Sequence, residues 1–203
     1  MIQRRLFALI ALAIPLSAFG ARYPENTWLQ VGPVALLLPA AWWAMRRYPI
    51  SDAAAGCLAA FVLLHLFAAR WSYSFVPYDH WLPGLGSAFG FERNMFDRLV
   101  HFLFGVLAVL PFAEIATRHG GLSLRAALWG AMAFVLAVGG LYEIFEWTLT
   151  LALAPEDAGA YNGEQGDRFD AQKDMAIAAF GAILALIPVR RLLQGDGNDP
   201  ATR

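Results

Sequence analysis

Long apolar stretches, separated by polar or basic residues, recur along the whole of this chain. Six of them are separable by hydropathy, and they cover residues 6–20, 28–45, 52–69, 99–117, 124–154 and 175–189. An α-helix needs about 20 apolar residues to cross the hydrocarbon core of a membrane. The first and last stretches are therefore short and the fifth is long. The pattern predicts an all-α fold, a polytopic membrane bundle of six transmembrane helices.

The same pattern predicts one transmembrane helical domain over residues 1–194. Residues 195–203 are rich in Gly, Asp and Pro, which is typical of a disordered cytoplasmic tail. The first stretch has a second interpretation, because Arg4 and Arg5 followed by a short apolar run and small residues also fit a secretory signal peptide. We favour a retained helix, since signal sequences of multi-span proteins are rarely cleaved and six spans complete the topology.

The distribution of basic residues predicts the orientation of the bundle. With the N-terminus in the cytoplasm, nine of the 15 basic residues fall on the inner side, and pairs such as Arg46-Arg47 and Arg190-Arg191 stand at predicted helix ends. Short cytoplasmic loops carry such an excess of Lys and Arg. Most acidic residues are skewed to the opposite side. We therefore expect both termini in the cytoplasm.

Composition supports the membrane assignment and narrows the partners. The chain is 59% hydrophobic and 15% charged, whereas soluble domains have roughly 45–50% apolar and about 25% charged residues. Its net charge of −1 offers no basic surface for phosphate neutralisation, so no nucleic-acid partner is expected. Membrane lipids are the expected surroundings. The single cysteine, Cys57, rules out an intrachain disulfide, and nothing in the sequence predicts an oligomeric state.

Three short segments carry ionisable groups at helical spacing, and the predicted topology brings all three to the non-cytoplasmic side. They are Asp97 with His101, Glu143 with Glu146, and Asp170 with Asp174. Residues three or four apart share one face of a helix. A charged side chain at the centre of a membrane helix costs at least ~2.5–3.5 kcal/mol, so such groups need partners or a wet cavity. The sequence therefore predicts a polar site that opens outward.

Three hypotheses account for this cluster. A metal site would use a mixed carboxylate and imidazole set that suits Zn²⁺, Mn²⁺ or Mg²⁺, with a water activated at an open position. The predicted metal ligands are Asp97, His101, Glu146, Asp170 and Asp174, with Glu143 as the catalytic general base. A structural network would instead pair the acids with the basic residues Arg93, Arg98, Arg168 and Lys173. Transport would use Glu143 and Glu146 as proton carriers.

Several of these segments also carry a family resemblance. The residues concerned are Trp71-Ser72-Tyr73, Val76-Pro77, Trp81, Phe89, Arg93-Asn94, Asp97-Arg98, His101-Phe102, Tyr142-Glu143, Glu146-Trp147, Gly163, Gln165-Gly166-Asp167, Asp170, Gln172 and Asp174-Met175. Over residues 28–187 the chain resembles the YjdF-like family of bacterial inner-membrane proteins, a domain family of unknown function. The resemblance implies a multi-pass protein of the bacterial inner membrane.

A more distant resemblance concerns the order of the ionisable residues. Asp97 and His101 in one helix, Glu146 in the next, and Asp174 before a glycine-containing last helix are similar to the pattern of VanZ-type membrane proteins. That resemblance implies a role in the cell envelope.

Together these observations predict an integral inner-membrane protein whose outward-facing acidic and histidine site binds or processes a lipid or lipid-linked phosphate of the cell envelope, with a divalent metal as the candidate cofactor. Two alternatives stay open. One is a proton-coupled transporter or lipid flippase that uses Glu143 and Glu146, and the other is a structural or assembly factor without catalysis. Whether the protein is an enzyme is left open by the sequence.

Overall fold

The computed structural model describes residues 1–152, 161 and 163–196, and in these residues all regular structure is helical. The helices are α1 (Ile2–Ala18), α2 (Pro24–Arg47), α3 (Asp52–Ala69), α4 (Tyr78–Trp81), α5 (Leu85–Ala88), α6 (Phe96–Arg118), α7 (Leu124–Thr150) and α8 (Asp170–Asp196). The predicted all-α class is confirmed.

Five helices of the described part of the chain, α2, α3, α6, α7 and α8, are long and apolar enough to cross a membrane. Helix α1 has 17 residues, which is the lower limit of about 17 for a spanning helix. The number of six spans and the cytoplasmic placement of the termini therefore stay predictions. Helix α8 continues to Asp196, two residues into the predicted tail, and residues 197–203 lie outside the described residues.

Local chemistry explains where several helices begin and end. The Ser51 and Ser123 hydroxyl oxygens accept hydrogen bonds from the backbone N–H groups three residues later, which caps α3 and α7. Helix α2 starts at Pro24 and ends with Arg46 and Arg47. Proline suits a first helical turn, and positive charge suits a helix C-terminus.

Helices α6 and α8 form the centre of the bundle, with α7 packed on both and α3 packed on α6. Helix α1 packs on α3 and α2 at the periphery. Small residues allow α6 and α8 to approach closely, since Ala178 and Ala182 are 1% and 0% exposed and Gly105 faces the backbone of Ala178. Close packing through small residues is the usual way in which membrane helices associate.

Consecutive long helices run antiparallel, so the bundle has two chemically different ends. We call the end formed by the first turns of α6 and α8 and the last turns of α7 the acidic end. At the opposite end, the fully buried carboxylate of Glu114 accepts a hydrogen bond from Ser51 Oγ at 2.6 Å and lies 3.0 Å from Arg118 Nη1. This contact ties the start of α3 to α6.

Candidate functional site

His101 lies between two carboxylates at the acidic end. Its Nε2 atom is 3.7 Å from Asp97 Oδ1, one turn earlier on α6, and 3.6 Å from Glu143 Oε1 on α7. Asp97 and His101 are each only 8% exposed. Both distances exceed those of an ordinary hydrogen bond, about 2.7–3.2 Å. The three groups therefore face one another without being joined by direct hydrogen bonds.

Asp174 brings α8 into the same site. One ligand atom each of Asp97, His101 and Asp174 lies within 4.8 Å of the others, and Asp174 is 2% exposed. Within the described part of the chain, Asp174 Oδ1 and Glu143 Oε1 have no hydrogen-bond partner. Donor atoms around one ion lie roughly 3–4 Å apart when the ligand bonds are ~2.0–2.2 Å. Small side-chain movements would therefore place the three donors around one ion.

Asp167 and Asp170 are engaged by two arginines instead. Arg98 Nη2 is 2.7 Å from Asp167 Oδ2 and 3.0 Å from Asp170 Oδ1. Arg93 donates to both carboxylate oxygens of Asp170. Asp170, which the sequence predicts to be a ligand, thus has its oxygens in an ion-pair network at the mouth of the site. The contacts of these two aspartates are those that the structural-network hypothesis expects. Arg168, which that hypothesis also included, lies over the ring of Phe169.

The pKa of Asp167, which lies before the first residue of α8, is lowered by its cationic neighbours. Lys173 Nζ donates to Asp167 Oδ2 at 2.5 Å, and Arg98 donates to the same oxygen. Hydrogen bonds from Lys173 and then Arg98 favour the carboxylate and so lower the pKa of Asp167 well below its ordinary value. An ionised Asp167 therefore holds Arg98 in place over the site.

Glu146 lies beside Glu143 in a cavity between α7 and α8. The cavity has a volume of about 460 Å³, and Glu164, Asp170 and Gln172 also line it. The side chain of Tyr142 interacts with the Glu146 carboxylate. It is not among the residues whose ligand atoms converge at His101. The structure thus places Glu146 next to the group of three, in the wall of an adjoining cavity.

Two loops hold the acidic end together, the segment after α3 and the segment before α8. Asn94 donates its backbone N–H to Gln165 Oε1 at 2.9 Å, and Gln165 Nε2 donates to the Asn94 carbonyl at 3.0 Å. Gly163 has a φ of +68°, and a Cβ atom there would lie 2.5 Å from Ser74 Oγ. Its carbonyl accepts from Arg93 Nη2 at 2.8 Å. Residues that carry the family resemblance therefore contact one another across these loops.

The comparisons with known proteins agree with that resemblance. The model of a family described as "Predicted membrane protein (DUF2238)" matches residues 2–195. The chain belongs to this family. The inner membrane protein YjdF of Escherichia coli (strain K12) is 30% identical over 177 residues, which cover 83% of this chain and 80% of that protein. No solved structure matches the chain.

The predicted YjdF-like membership and the predicted multi-pass location in a bacterial inner membrane are therefore confirmed for this DUF2238 protein. The distant similarity to VanZ-type proteins stays a prediction. The metal ligands and the general base also stay predictions.

Two residues of this DUF2238 protein were missed as site residues by sequence reasoning. The ring of Tyr142 lies 6.1 Å from the ring of His101. Gln30 is 4% exposed inside the apolar run of α2. A signal for Gln30 was present, since a polar side chain within a membrane-spanning run is expensive and commonly functional. For Tyr142 the only signal was its place in the family motif.

Proposed function

We propose that this protein binds a divalent metal ion through Asp97, His101 and Asp174, and that it binds or processes a lipid-linked phosphate there, on the outer side of the inner membrane. The observation that carries the proposal is the convergence of one ligand atom from each of these residues within 4.8 Å. Mixed carboxylate and imidazole sets suit Zn²⁺ and Mn²⁺, and carboxylates suit Mg²⁺.

The charge of the buried groups supports a cation at this place. Asp97, Asp174 and Glu143 surround one histidine, and the guanidinium of Arg98 lies 3.8 Å from Asp174 Oδ1 through Nε. Burying a carboxylate costs several kcal/mol unless an opposite charge or hydrogen bonds compensate it. In the described structure Glu143 Oε1 and Asp174 Oδ1 have no hydrogen-bond partner, and a divalent ion and its water would satisfy them.

The neighbouring residues have distinct roles in this proposal. A bound divalent ion would supply Lewis-acid chemistry and lower the pKa of a water ligand. Glu143, whose carboxylate lies 3.6 Å from His101 Nε2, would act as the general base. Asp170 holds Arg93 and Arg98 at the mouth, where guanidinium groups suit a phosphate. Glu146 would act from the wall of the adjoining cavity and not as a direct ligand.

The sequence of α6 weighs against the transport alternative. All residues between His101 and Glu114 are apolar, and at ~1.5 Å per residue they separate the two polar sites by about 20 Å. A proton pathway would require polar groups or water along that distance. The positive-inside bias of the arginine pairs supports an outward-facing site.

Metal content and thermal unfolding test the proposal. We expect the purified wild type to hold about one equivalent of Zn²⁺ or Mn²⁺ and to unfold at a lower temperature after EDTA treatment. At 100 times the dissociation constant, bound metal adds about 2.7 kcal/mol of stability by mass action. His101→Asn and Asp174→Asn should lose both the metal and the shift.

A matched control is His80→Asn, which removes an exposed histidine on α4 and should keep both properties. A wild type without metal, whose unfolding temperature is the same with EDTA, Zn²⁺, Mn²⁺ or Mg²⁺, would refute the metal site and leave the arginine and aspartate network as a structural element.

A further inference from the structure

An apolar groove of about 500 Å³ lies between α1, α2 and α3, and residues of the last turns of α7 close one end of it. Along α2 its wall extends from Leu29 to Met45, which corresponds to about 24 Å at ~1.5 Å per residue. Leu37, one of the lining residues, is 64% exposed. Because α2 and α3 are long and apolar enough to cross a membrane, we expect the groove to open towards the hydrocarbon of the bilayer.

One polar side chain in the groove is left unpaired. Gln30 is 4% exposed, and among the described residues neither atom of its amide group has a hydrogen-bond partner. His65 does not supply a hydrogen-bond partner for this amide group. Its Nε2 atom lies 3.1 Å from the backbone carbonyl oxygen of Gln30, and its Nδ1 atom is hydrogen-bonded to the Tyr73 hydroxyl. A buried polar group without a hydrogen-bond partner destabilises the folded protein. The amide therefore indicates a ligand that carries a polar group at this depth.

The groove adjoins a second cavity that reaches His101. Phe61, His65 and Tyr142 line both the groove and this second cavity of about 200 Å³, whose wall also includes His101. Gln30, His65, Tyr142 and Tyr161 line the groove towards the acidic end. Gln3 lines it at the opposite end, where its amide is hydrogen-bonded to the Ile50 carbonyl and to Asp52, and the wall between is apolar. This order matches an amphipathic molecule with its polar group near His101 and its chain along α2.

We propose that the groove binds one acyl chain of an ester-linked glycerolipid, with the Gln30 amide donating to an ester carbonyl and the headgroup directed through the second cavity towards His101. What happens to the headgroup there rests on the proposed function. At ~30 Å³ per water-sized group, the groove holds roughly 17 such groups, which suits one chain and not two. Gln30 is ~9 Å along α2 from Pro24, below a headgroup layer of about 5–8 Å.

The test uses the full-length protein in nanodiscs of phosphatidylethanolamine and phosphatidylglycerol. A trace of phosphatidylethanolamine with a diazirine in the middle of one acyl chain is photoactivated, and the cross-linked residues are mapped by mass spectrometry. We expect cross-links at groove residues such as Leu38 and Val62 to exceed those at Leu36, which is 81% exposed to the bilayer. Val34→Phe fills the groove and should abolish them, whereas the control Leu36→Phe on the same helix should not.

Gln30→Leu tests the ester contact separately. It should keep the cross-links and reduce the preference for ester-linked over ether-linked phosphatidylethanolamine by about 2- to 10-fold, the effect of one net hydrogen bond. No preference in the wild type would overturn the ester contact.

The metal-site variant His101→Asn separates this inference from the proposed function. Groove cross-links that persist in this variant, or in a wild type that binds no metal, support the lipid site even where the metal proposal fails. Cross-links no stronger in the groove than at Leu36, or cross-links from the groove to a second copy of the chain, overturn it whatever the metal content is.

Discussion

Gly105 on α6 faces the backbone of Ala178 on α8 so closely that a Cβ atom on Gly105 would lie 1.9 Å from the Ala178 carbonyl oxygen. The contact is repeated along the same interface, where a Cβ on Gly181 would lie 2.3 Å from the Phe102 carbonyl oxygen. The pair sets the distance between the two helices that carry Asp97, His101 and Asp174. The packing of small residues thus positions the candidate site.

Gly105→Ala should therefore destabilise the protein by about 1–3 kcal/mol or more, because no side chain can move aside to make room for the methyl group. The separation of α6 from α8 should also weaken metal binding. Denaturant unfolding in detergent micelles measures the first effect, and metal titration measures the second.

A matched control for that substitution is Gly56→Ala in α3, where a Cβ atom meets nothing within 4 Å. It should leave stability unchanged or raise it by up to about 1 kcal/mol, because alanine favours the helix over glycine. Equal stability of Gly105→Ala and Gly56→Ala would show that α6 and α8 do not need this close approach.

The sequence predicted the helical segments well where polarity and backbone structure change together. Residues 52–69 were predicted and α3 has those bounds. The helices α6 and α8 begin earlier than predicted, at Phe96 and Asp170. Their first turns contain charged residues, which are helical but lie outside the apolar stretches on which the prediction was based. For α1 the hydropathy predicted a transmembrane span, and its 17 residues are just long enough to cross the membrane.

Spacing and topology also predicted that the three pairs of ionisable groups meet at one end of the bundle. They could not predict which acids face His101 and which face the arginines. That division depends on the rotation of α8 about its axis, which the contact between Gly105 and Ala178 fixes. Asp174 consequently points to His101, while Asp170, one turn earlier, meets Arg93 and Arg98.

The contact between Ser51 and Glu114 predicts energetic coupling at the opposite end of the bundle. Ser51→Ala should cost about 1 kcal/mol through loss of the α3 cap, plus its hydrogen bond to the carboxylate. Glu114→Gln should cost about 1–3 kcal/mol, because a buried amide cannot accept from all the donors around it. The double variant should lose less than the two single losses combined.

The control for this cycle is Ser123→Ala, which removes the corresponding cap of α7. Combined with Glu114→Gln, it should give additive losses of unfolding free energy. If the losses of Ser51→Ala and Glu114→Gln were also additive, the predicted coupling between Ser51 and Glu114 would be wrong.

The orientation of the bundle can be tested with reporter fusions. A reporter that works only in the cytoplasm should be active when it is fused after Arg191, because paired arginines mark inner helix ends. A reporter that works only outside the inner membrane should be active after Glu164. An N-terminal tag protected from external protease would place Met1 inside and make α1 a span. Activity of the external reporter after Arg191 would reverse the topology and move the acidic end to the cytoplasm.

Asp167 predicts a pH dependence of stability. Its pKa is lowered in the folded protein by Lys173 and Arg98, so its contribution is fully present above the unfolded value, about 3.9, and is lost as pH falls towards the folded value. Wild-type stability should therefore fall as the pH decreases below about 4. Asp167→Asn, followed by thermal unfolding between pH 3 and 7, should show a shallower decrease over that interval. If the wild type and Asp167→Asn lose stability equally as the pH falls, Asp167 has the same pKa in the folded and unfolded protein, and the prediction is wrong.

Replacement of Glu146 by glutamine tests whether Glu146 is a ligand of the proposed metal ion or only lies beside the metal site. Glu146 and Glu143 line the same cavity, so Glu146→Gln removes one of two like charges and keeps the volume of the side chain. Stability without metal should stay the same or rise by about 1 kcal/mol, the order of a like-charge contact in a high dielectric.

The stabilisation by Zn²⁺ or Mn²⁺ should persist in Glu146→Gln and vanish in Asp174→Asn, because Asp174, unlike Glu146, has a ligand atom in the group that converges on His101. Thermal unfolding of both variants and the wild type, each with EDTA and with added metal, measures this difference. Loss of the metal response in Glu146→Gln would make Glu146 a ligand, which requires a rotation of its side chain towards His101. A strong destabilisation in every condition would instead make Glu146 part of the structural network.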